Sequence, residues 1–543
     1  MEHFLSLLQE TARRQWDLPA LSDFHGSSYT HKEVYHKVMT LKKAYELLGI
    51  REGDRVAIVG KSSSSWALAF LSAVSSKAVA VPLLFGFTPD VLMHLLDHSG
   101  SRVLFTEKRI FDALDLDALA CLEAVFLLDD LSILYIRNKE LEPKVRRAEG
   151  LVTDAYPGGI RPQDAVYEGR GLDELCVINY TSGTTGTPKG VMLSARALSA
   201  NVDYCRKNIP VHAGDTTLSV LPMAHMYGLS VEFLFTFCMG SHVVFLCRQP
   251  SPNVLYLAYQ EVRPFMVILV PMIVEKVFQS WVFPYLRKPR YYLMYKLPVV
   301  RAFFHARLRR KFLRFLGGKM RIMTIGGAAL MPQVEEMLYR GRVPFSVGYG
   351  MTECAPLIGY ASPGKFKRGS CGRSVDGMEV RVDSPDPMRI PGELQMRGDH
   401  VMMGYYRNEQ ATREAFTQDG WLRSGDLGVM DRRGNIYIRG RIKCMILSSS
   451  GQNIYPEEME EKINFMDEVQ ESLVVERQGH LVALVHPSEA AMKDRNDLDG
   501  LSVSILRKAN NLMPSYAKLS RVEILEKGFV HTPKHSIKRS LYS

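Results

Sequence analysis

Tyr180-Thr-Ser-Gly-Thr-Thr-Gly-Thr-Pro-Lys-Gly190 gathers three glycines, five Ser/Thr hydroxyls and one lysine into eleven residues. Glycines let successive backbone N–H groups converge on an anion, the hydroxyls add donors, and the lysine opposes the charge of a polyphosphate. The apolar run Leu175-Cys-Val-Ile-Asn-Tyr180 ahead of it reads as a strand, so the loop is expected at a strand end. The spacing departs from a Walker loop, because Pro188 stands where its second glycine belongs and Lys189 is followed by Gly190. A nucleotide-phosphate loop of another kind is the functional reading; a flexible Ser/Thr/Gly linker is the plain one.

Working outward, helix patterns alternate with short apolar strands. Thr30-His-Lys-Glu33 is a capping-box start, Val34, Val38, Leu41 and Leu48 share one face, and Gly49 stops the helix. Strands are expected at Arg55–Val59, Arg102–Phe105, Ala124–Leu128, Thr217–Leu221, Ser241–Leu246 and Phe265–Val270. The apolar stretch Trp66–Phe87 is broken by Lys77 and Pro82, so it reads as a buried helix followed by the core strand Ala78–Leu84, not as a membrane span. This alternation predicts an α/β architecture with largely parallel sheets. A length of 543 residues calls for two or more domains.

The eight cysteines show no C-x-x-C and no clustering with histidine, so neither a zinc site nor a disulfide framework is expected. The first ten residues carry acid where a signal peptide needs base, and a reducing, cytoplasmic location is expected. The net charge of +10 is local: the segment Trp281–Met320 holds eleven Lys/Arg and no Asp/Glu, which accounts for the whole surplus. Within it Phe304, Leu308, Phe312 and Phe315 share a helical face, Arg307, Arg310, Lys311 and Arg314 form the next stripe, and Arg309 interrupts the apolar side. A basic amphipathic helix suits an anionic membrane surface as well as ordinary packing on its own domain. With no zinc finger or RNP-like motif, nucleic acid is not an expected partner.

Further motifs follow in order along the chain: Leu221-Pro-Met-Ala-His-Met-Tyr-Gly228, Thr324-Ile-Gly-Gly-Ala-Ala-Leu330, Val347-Gly-Tyr-Gly-Met-Thr-Glu353, Gly420-Trp-Leu-Arg-Ser-Gly-Asp-Leu427, Ile438-Arg-Gly-Arg-Ile-Lys443 and Ser448-Ser-Ser-Gly-Gln-Asn-Ile-Tyr-Pro-Glu-Glu458. Each alone is an ordinary turn or polar loop. Together with the Thr181–Gly190 loop they resemble the adenylate-forming superfamily, which comprises the acyl- and aryl-CoA synthetases, luciferases and peptide-synthetase adenylation domains. Val270-Pro-Met-Ile-Val-Glu-Lys-Val-Phe278 is similar to a stretch of the long-chain fatty acyl-CoA synthetases.

The resemblance implies a large N-terminal domain of mixed, largely parallel sheets with helices (1–440), carrying the acid and ATP sites and the basic insert 281–320. A small mobile α+β C-terminal domain (441–543) would follow, with its hinge at Lys443. It implies that Thr181, Ser182, Gly183, Thr184, Thr185, Gly186 and Lys189 hold phosphates, and that Gly326, Gly327 and Ala328 lie against adenine and the acyl head. Tyr349 would stack on adenine with Gly350 and Met351 beside it, Thr352 would reach the α-phosphate or the acid, and Glu353 would hold Mg2+. His225 would flank the substrate carboxylate, Asp426 and Arg441 would bind ribose near Ile438, and Gly451 would let the pantetheine thiol pass.

The implied activity is AMP-forming ligation of a medium- or long-chain fatty acid to coenzyme A. Acyl carrier protein as acceptor and an aromatic acid as substrate are the alternatives. The family's tail lysine falls at Ser536 in this chain, with Lys534 and Lys538 as the nearest replacements. In an extended segment both point to the same side as Ser536, about 7 Å away. From Ser536 arises the further alternative of a nucleotide-binding pseudoenzyme. A peripheral place on the inner face of a membrane is the expectation tied to the basic insert.

Overall fold

The computed structural model describes residues 1–181, 188–286, 295–447, 453–492, 498–514, 517–531 and 537–542. Its contacts divide the chain into two compact units. The first holds Met1–Thr181, Lys189–Glu379 and Arg397–Phe416, and the second holds Val380–Met396 and the chain from Thr417 onward.

Two large sheets organise the first unit. One runs, in spatial order, Gly404–Tyr405, Lys189–Ser194, Leu175–Thr181, Val79–Leu83, Arg55–Val59, Ser101–Thr106, Ala124–Leu127 and Ile133–Ile136. Its middle strands are parallel, and the Leu175–Thr181 strand turns back antiparallel onto Lys189–Ser194 with Thr181 opposite Lys189. The second runs Phe345–Val347, Ile322–Ile325, Met266–Leu269, Thr216–Ser219, His242–Phe245, Pro19–Asp23 and Ser28–Thr30, and is parallel except for the last pair. Strands buried on both faces read as continuous apolar runs, which is why the sequence discloses them.

Local chemistry sets the element ends. Thr30 accepts from the Glu33 N–H and the Glu33 carboxylate accepts from the Thr30 N–H at 2.8 Å, closing the expected capping box on helix His31–Leu47. The apolar stretch after Ser63 forms helix Ser64–Ser75, buried all round, and then strand Val79–Leu83. Pro82 sits within this strand opposite Ile58, while the pairing toward Leu175–Thr181 is confined to Ala80 opposite Val177.

The basic insert supplies helix Pro298–Phe315. Phe312 and Phe315 are buried with His305, Phe304 and Leu308 are half-buried, and Arg309 faces solvent beside this face instead of interrupting it. No helix among the described residues is long and apolar enough to cross a membrane.

The second unit contains the antiparallel strands Leu422–Met430 and Ile436–Arg441, and, beyond them, strands Val469–Arg477, His480–Pro487 and Arg521–Ile524. Helices Pro456–Asn464 and Leu498–Leu512 cover the latter sheet over a core that includes Ile463, Val474, Val485, Ile505 and Ala509. The part beyond Arg441 has the α+β character expected from the sequence, while the unit also takes in Val380–Met396 and the strands Leu422–Met430 and Ile436–Arg441.

Candidate active site

In an open parallel sheet, ligands collect beyond the carboxyl ends of the strands. Two of the glycine motifs stand there side by side, since Gly326 follows Ile322–Ile325, Gly348 follows Phe345–Val347, and Ile325 lies opposite Val347. Gly326 is buried against Tyr227, whose ring stands 3.2 Å from where a Cβ would be, while Gly327 takes φ +92 and is exposed with Ala328. Tyr227 begins the π-helix Tyr227–Phe235, so the same contact brings the His225 segment beside the glycine turn. His225 is half-buried, and its N–H donates to the Pro222 carbonyl.

Tyr349 and Gly350 form a short strand antiparallel to Leu357–Tyr360. A Cβ on Gly350 would meet the Pro356 carbonyl oxygen at 2.2 Å, so that position admits glycine alone without a backbone shift. The turn between, Met351–Pro356, is gripped from below by buried Asn201, which donates to the Cys354 carbonyl at 3.3 Å and accepts from the Leu357 N–H at 3.0 Å. Tyr349, Thr352 and Glu353 are thereby held half-buried on one rim.

Strand Gly404–Tyr405 pairs with Lys189–Ser194 and carries the link between two motifs. The Tyr405 hydroxyl donates to Glu353 Oε1 at 3.0 Å, and Lys189 Nζ lies 4.9 Å from the centre of the Tyr405 ring. The lysine expected at the phosphates and the carboxylate expected to hold a metal thus share one aromatic side chain. Burial, reinforced by the Glu353 charge, pushes the Tyr405 hydroxyl well above the usual phenol range, so it stays a donor.

In the second unit Asp426 lies on strand Leu422–Met430, opposite Arg441. Arg441 Nε meets Asp426 Oδ1 at 3.1 Å; the aspartate side chain is 10% exposed and the arginine 63%. Glu393 accepts from the Gly425 N–H and pairs with Arg423, which fixes the turn before Asp426. Ile438 is half-buried opposite Gly428, and Lys443 is exposed in the short turn Ile442–Cys444.

Ser182, Gly183, Thr184, Thr185, Gly186, Gly451, Lys534 and Ser536 lie outside the described residues. Lys538 is exposed, and its N–H donates to the Val530 carbonyl at 2.8 Å. Arg539 beside it makes an ion pair with the buried Glu460. All cysteines are free, and the described residues contain no group of three or more His, Cys, Asp or Glu suited to a metal.

Asn201, Tyr227, Glu275 and Tyr405 were not singled out as site residues in the sequence. Glu275 belongs to the Val270–Phe278 stretch, and its half-buried carboxylate accepts from the Met331 N–H at 2.8 Å, just beyond the Gly326–Leu330 segment. Tyr227 lies within the Leu221–Gly228 motif and Glu275 within Val270–Phe278; Asn201 and Tyr405 lie in no motif and gain their places only from contacts between distant segments.

A family model described as AMP-binding enzyme matches residues 8–406, and one described as AMP-binding enzyme C-terminal domain matches 444–543. The chain belongs to the AMP-binding enzyme family, and it is an AMP-forming acid–thiol ligase. Among its relatives, 4-coumarate–CoA ligase 2 of Oryza sativa subsp. japonica is 29% identical over 80% of this chain and 74% of its own length. Long-chain-fatty-acid–CoA ligase ACSBG2 of Gallus gallus is 26% identical over 84% and 63%, and long-chain-fatty-acid–CoA ligase 1 of Schizosaccharomyces pombe 25% over 88% and 75%.

In structure the chain resembles ATP-bound MatB from Rhodopseudomonas palustris, with TM-score 0.79, 22% identity and coverage of 99% and 97%. It also resembles a benzoate CoA ligase from Burkholderia xenovorans, with TM-score 0.78, 19% identity and coverage of 100% and 99%. The mixed α/β fold is that of these enzymes.

Proposed function

We propose that the chain is an ATP-dependent fatty acid:CoA ligase acting on medium- or long-chain acids. The observation that carries the reading is the Lys189–Tyr405–Glu353 arrangement beside the Gly326 and Tyr349 turns, which gathers a cation, a carboxylate and glycine backbone where a nucleotide triphosphate would lie. In the first step a substrate carboxylate oxygen attacks the α-phosphorus, a C(=O)–O–P linkage forms, and the bond to pyrophosphate breaks. Lys189 and the loop amides oppose the charge that grows on the phosphate oxygens, while Thr352 and His225 orient the acid.

Glu353 suits Mg2+, because one carboxylate plus phosphate oxygens and waters is how that ion is commonly held, and Oε2 is left over from the bond to Tyr405. Bound there, Mg2+ would neutralise phosphate charge. Asp426 and Arg441 would hold the ribose. In the second step the coenzyme A sulfur attacks the acyl carbon, the C–O bond to AMP breaks, and the thiol proton passes to solvent. The boundary between the two catalytic pieces is proposed at residue 441 with Lys443 as hinge, a reading supported by the gap between the two family matches at 406 and 444.

A cytoplasmic enzyme held at the inner face of a membrane, where long-chain acids partition, is the setting this reading favours. An aryl acid is the second reading, since coumarate enzymes stand as near in identity as fatty-acid ones. ATP–pyrophosphate exchange over acids from acetate to oleate, with benzoate and coumarate, with and without Mg2+, separates them. Exchange peaking at long alkyl acids and lost without Mg2+ is expected. A peak at coumarate replaces the fatty-acid reading, and ATP binding without exchange for any acid turns it toward a pseudoenzyme.

A further inference from the structure

Helix Pro298–Phe315 turns one continuous stripe to solvent. Val299, Phe303, Arg307, Arg310 and Arg314 are spaced four, four, three and four residues apart, so they fall on one side of a 3.6-residue helix, and all five are exposed. The opposite side, with His305, Phe312 and Phe315, is spent on packing: Phe312 meets Phe278, and Phe315 meets Tyr256, Tyr259 and Trp281. Val299 is 81% exposed and Phe303 67%, with Leu297 at 56% just ahead of the helix. Such side chains at the head of a row of arginines are not explained by packing among the described residues.

At the other end of the stripe Arg310 and Arg314 join Arg263 and Gln260 around a surface pocket of about 550 Å3. Helix C-terminal carbonyls would repel an anion, but here they are engaged: Gln260 Nε2 donates to the Arg314 and Phe315 carbonyls, and Arg263 Nε donates to that of Gly317. No ion pair among the described residues involves Arg307, Arg310 or Arg314. The carboxylates nearby in the sequence and fold are already engaged, Glu261 with His25 and Glu336 with Arg340 and Arg368.

We infer that this face docks on an anionic bilayer. Leu297, Val299 and Phe303 would enter the headgroup–acyl boundary, and Arg263, Arg310 and Arg314 would take lipid phosphates. The charge complementarity is that of a polybasic segment on acidic lipid, and the exposed apolar head decides for lipid over nucleic acid. Leu297 and Val299 are branched aliphatic side chains that gain by immersion in a bilayer and offer no plane for a base to stack upon, so of the three only Phe303 could serve a base. The inference rests on the membrane setting given with the proposed function and is independent of which acid is activated.

The test is co-sedimentation of the full chain with vesicles of phosphatidylcholine alone and with phosphatidylserine at about three to one, at low and high salt. Binding to the mixed vesicles alone, weakened by salt, is expected. Arg310→Ala with Arg314→Ala should weaken it about twenty-five-fold, at about fivefold per charge, and Phe303→Ser by about fivefold. Thermal midpoints report whether the variants fold, and exchange activity with a water-soluble acid should be unchanged in all of them. Because vesicle binding is read without substrates, loss of the docking inference and loss of the ligase reading are separate results. Binding to neither vesicle, equal binding to both, or binding indifferent to the substitutions overturns the inference. So does binding of duplex DNA or RNA that the arginine substitutions abolish and Phe303→Ser leaves intact.

Discussion

Tyr405 joins two charged groups that lie far apart in sequence, and each part of its side chain has its own task. The hydroxyl fixes Glu353 by a bond of 3.0 Å, and the ring faces Lys189. Tyr405→Phe removes only the first. A hydrogen bond to a charged group contributes about 1.5–3 kcal/mol, so pyrophosphate exchange should fall by about tenfold or more, with a higher Mg2+ requirement. Tyr405→Ala removes the cation–ring contact as well and should fall further, by about another three- to fivefold. Because burial keeps the hydroxyl protonated, neither loss should vary between pH 6 and 9, which a pH series of exchange rates checks. Asp426 poses a different case. Its carboxylate is nearly buried while its partner Arg441 is largely exposed, so the ion pair itself contributes little and the aspartate is held by the turn around Glu393. Asp426→Asn should therefore leave the fold intact and raise the KM for ATP about tenfold, measured by exchange at varied ATP.

Among the elements, the short pair Tyr349–Gly350 and Leu357–Tyr360 is the least tolerant of change. Gly350→Ala would drive a methyl group into the Pro356 carbonyl, and a backbone shift there moves Thr352 and Glu353 together. A loss of about 2 kcal/mol or more in unfolding experiments is expected, with exchange lost more steeply than stability. The π-helix Tyr227–Phe235 carries a second sensitivity. Glu232, fully buried, accepts from Ser219 Oγ and from the Val220 and Leu221 N–H groups at the end of strand Thr216–Ser219. Burial nonetheless pushes its carboxyl up to about 8, against those three donors. A carboxyl raised in the folded state binds more protons there than in the unfolded chain, so its contribution is complete below about pH 4.5 and is lost as pH rises toward 8. The thermal midpoint should fall across that window, and Glu232→Gln should flatten the fall. The strands at Arg55–Val59 and His242–Phe245 and the Thr30 capping box were legible because one local pattern specified each. The π-helix was not, since a run that is mostly apolar and buried from Gly228 to Phe235 has no period to betray an extra residue per turn. Nor was strand Pro19–Asp23, which finds its parallel partner more than 200 residues away in His242–Phe245. Of the candidate site, Lys189, Glu353 and the Gly326 and Tyr349 turns were legible because glycine or charge stands out in their local sequence. Tyr405 and Asn201 were not, because only folding gives them partners.

At the scale of the whole molecule, the question is how the tail, with Ser536 where the resemblance leads one to expect a lysine, would serve adenylation. The tail's base is well fixed in the second unit. Glu460, buried on helix Pro456–Asn464, accepts from the Val474 N–H and pairs with Arg539, and burial pushes its carboxyl up to about 7 with Arg539 opposing. His531 bridges to Ile537, so 532–536, which lies outside the described residues, is bounded by two anchored positions. A lysine delivered from such a base can act only where its reach allows, and a displacement of two residues moves a side chain by about 7 Å. Lys534 and Lys538 are the two cations flanking Ser536, and we expect one of them to bridge the acid and the phosphate during adenylation. If so, Lys534→Ala or Lys538→Ala should cut pyrophosphate exchange by about a hundredfold or more, as loss of a positioned charge does. The same variant should still convert supplied acyl adenylate and coenzyme A to thioester at an undiminished rate, because no pyrophosphate leaves in that step. Equal loss in both half-reactions would mean that the substitution disturbs the tail's anchorage at Glu460 instead of its chemistry. Full exchange in both single variants and in the double variant would show that adenylation in this chain proceeds without a tail lysine, on the charge supplied by Lys189 and Mg2+ alone.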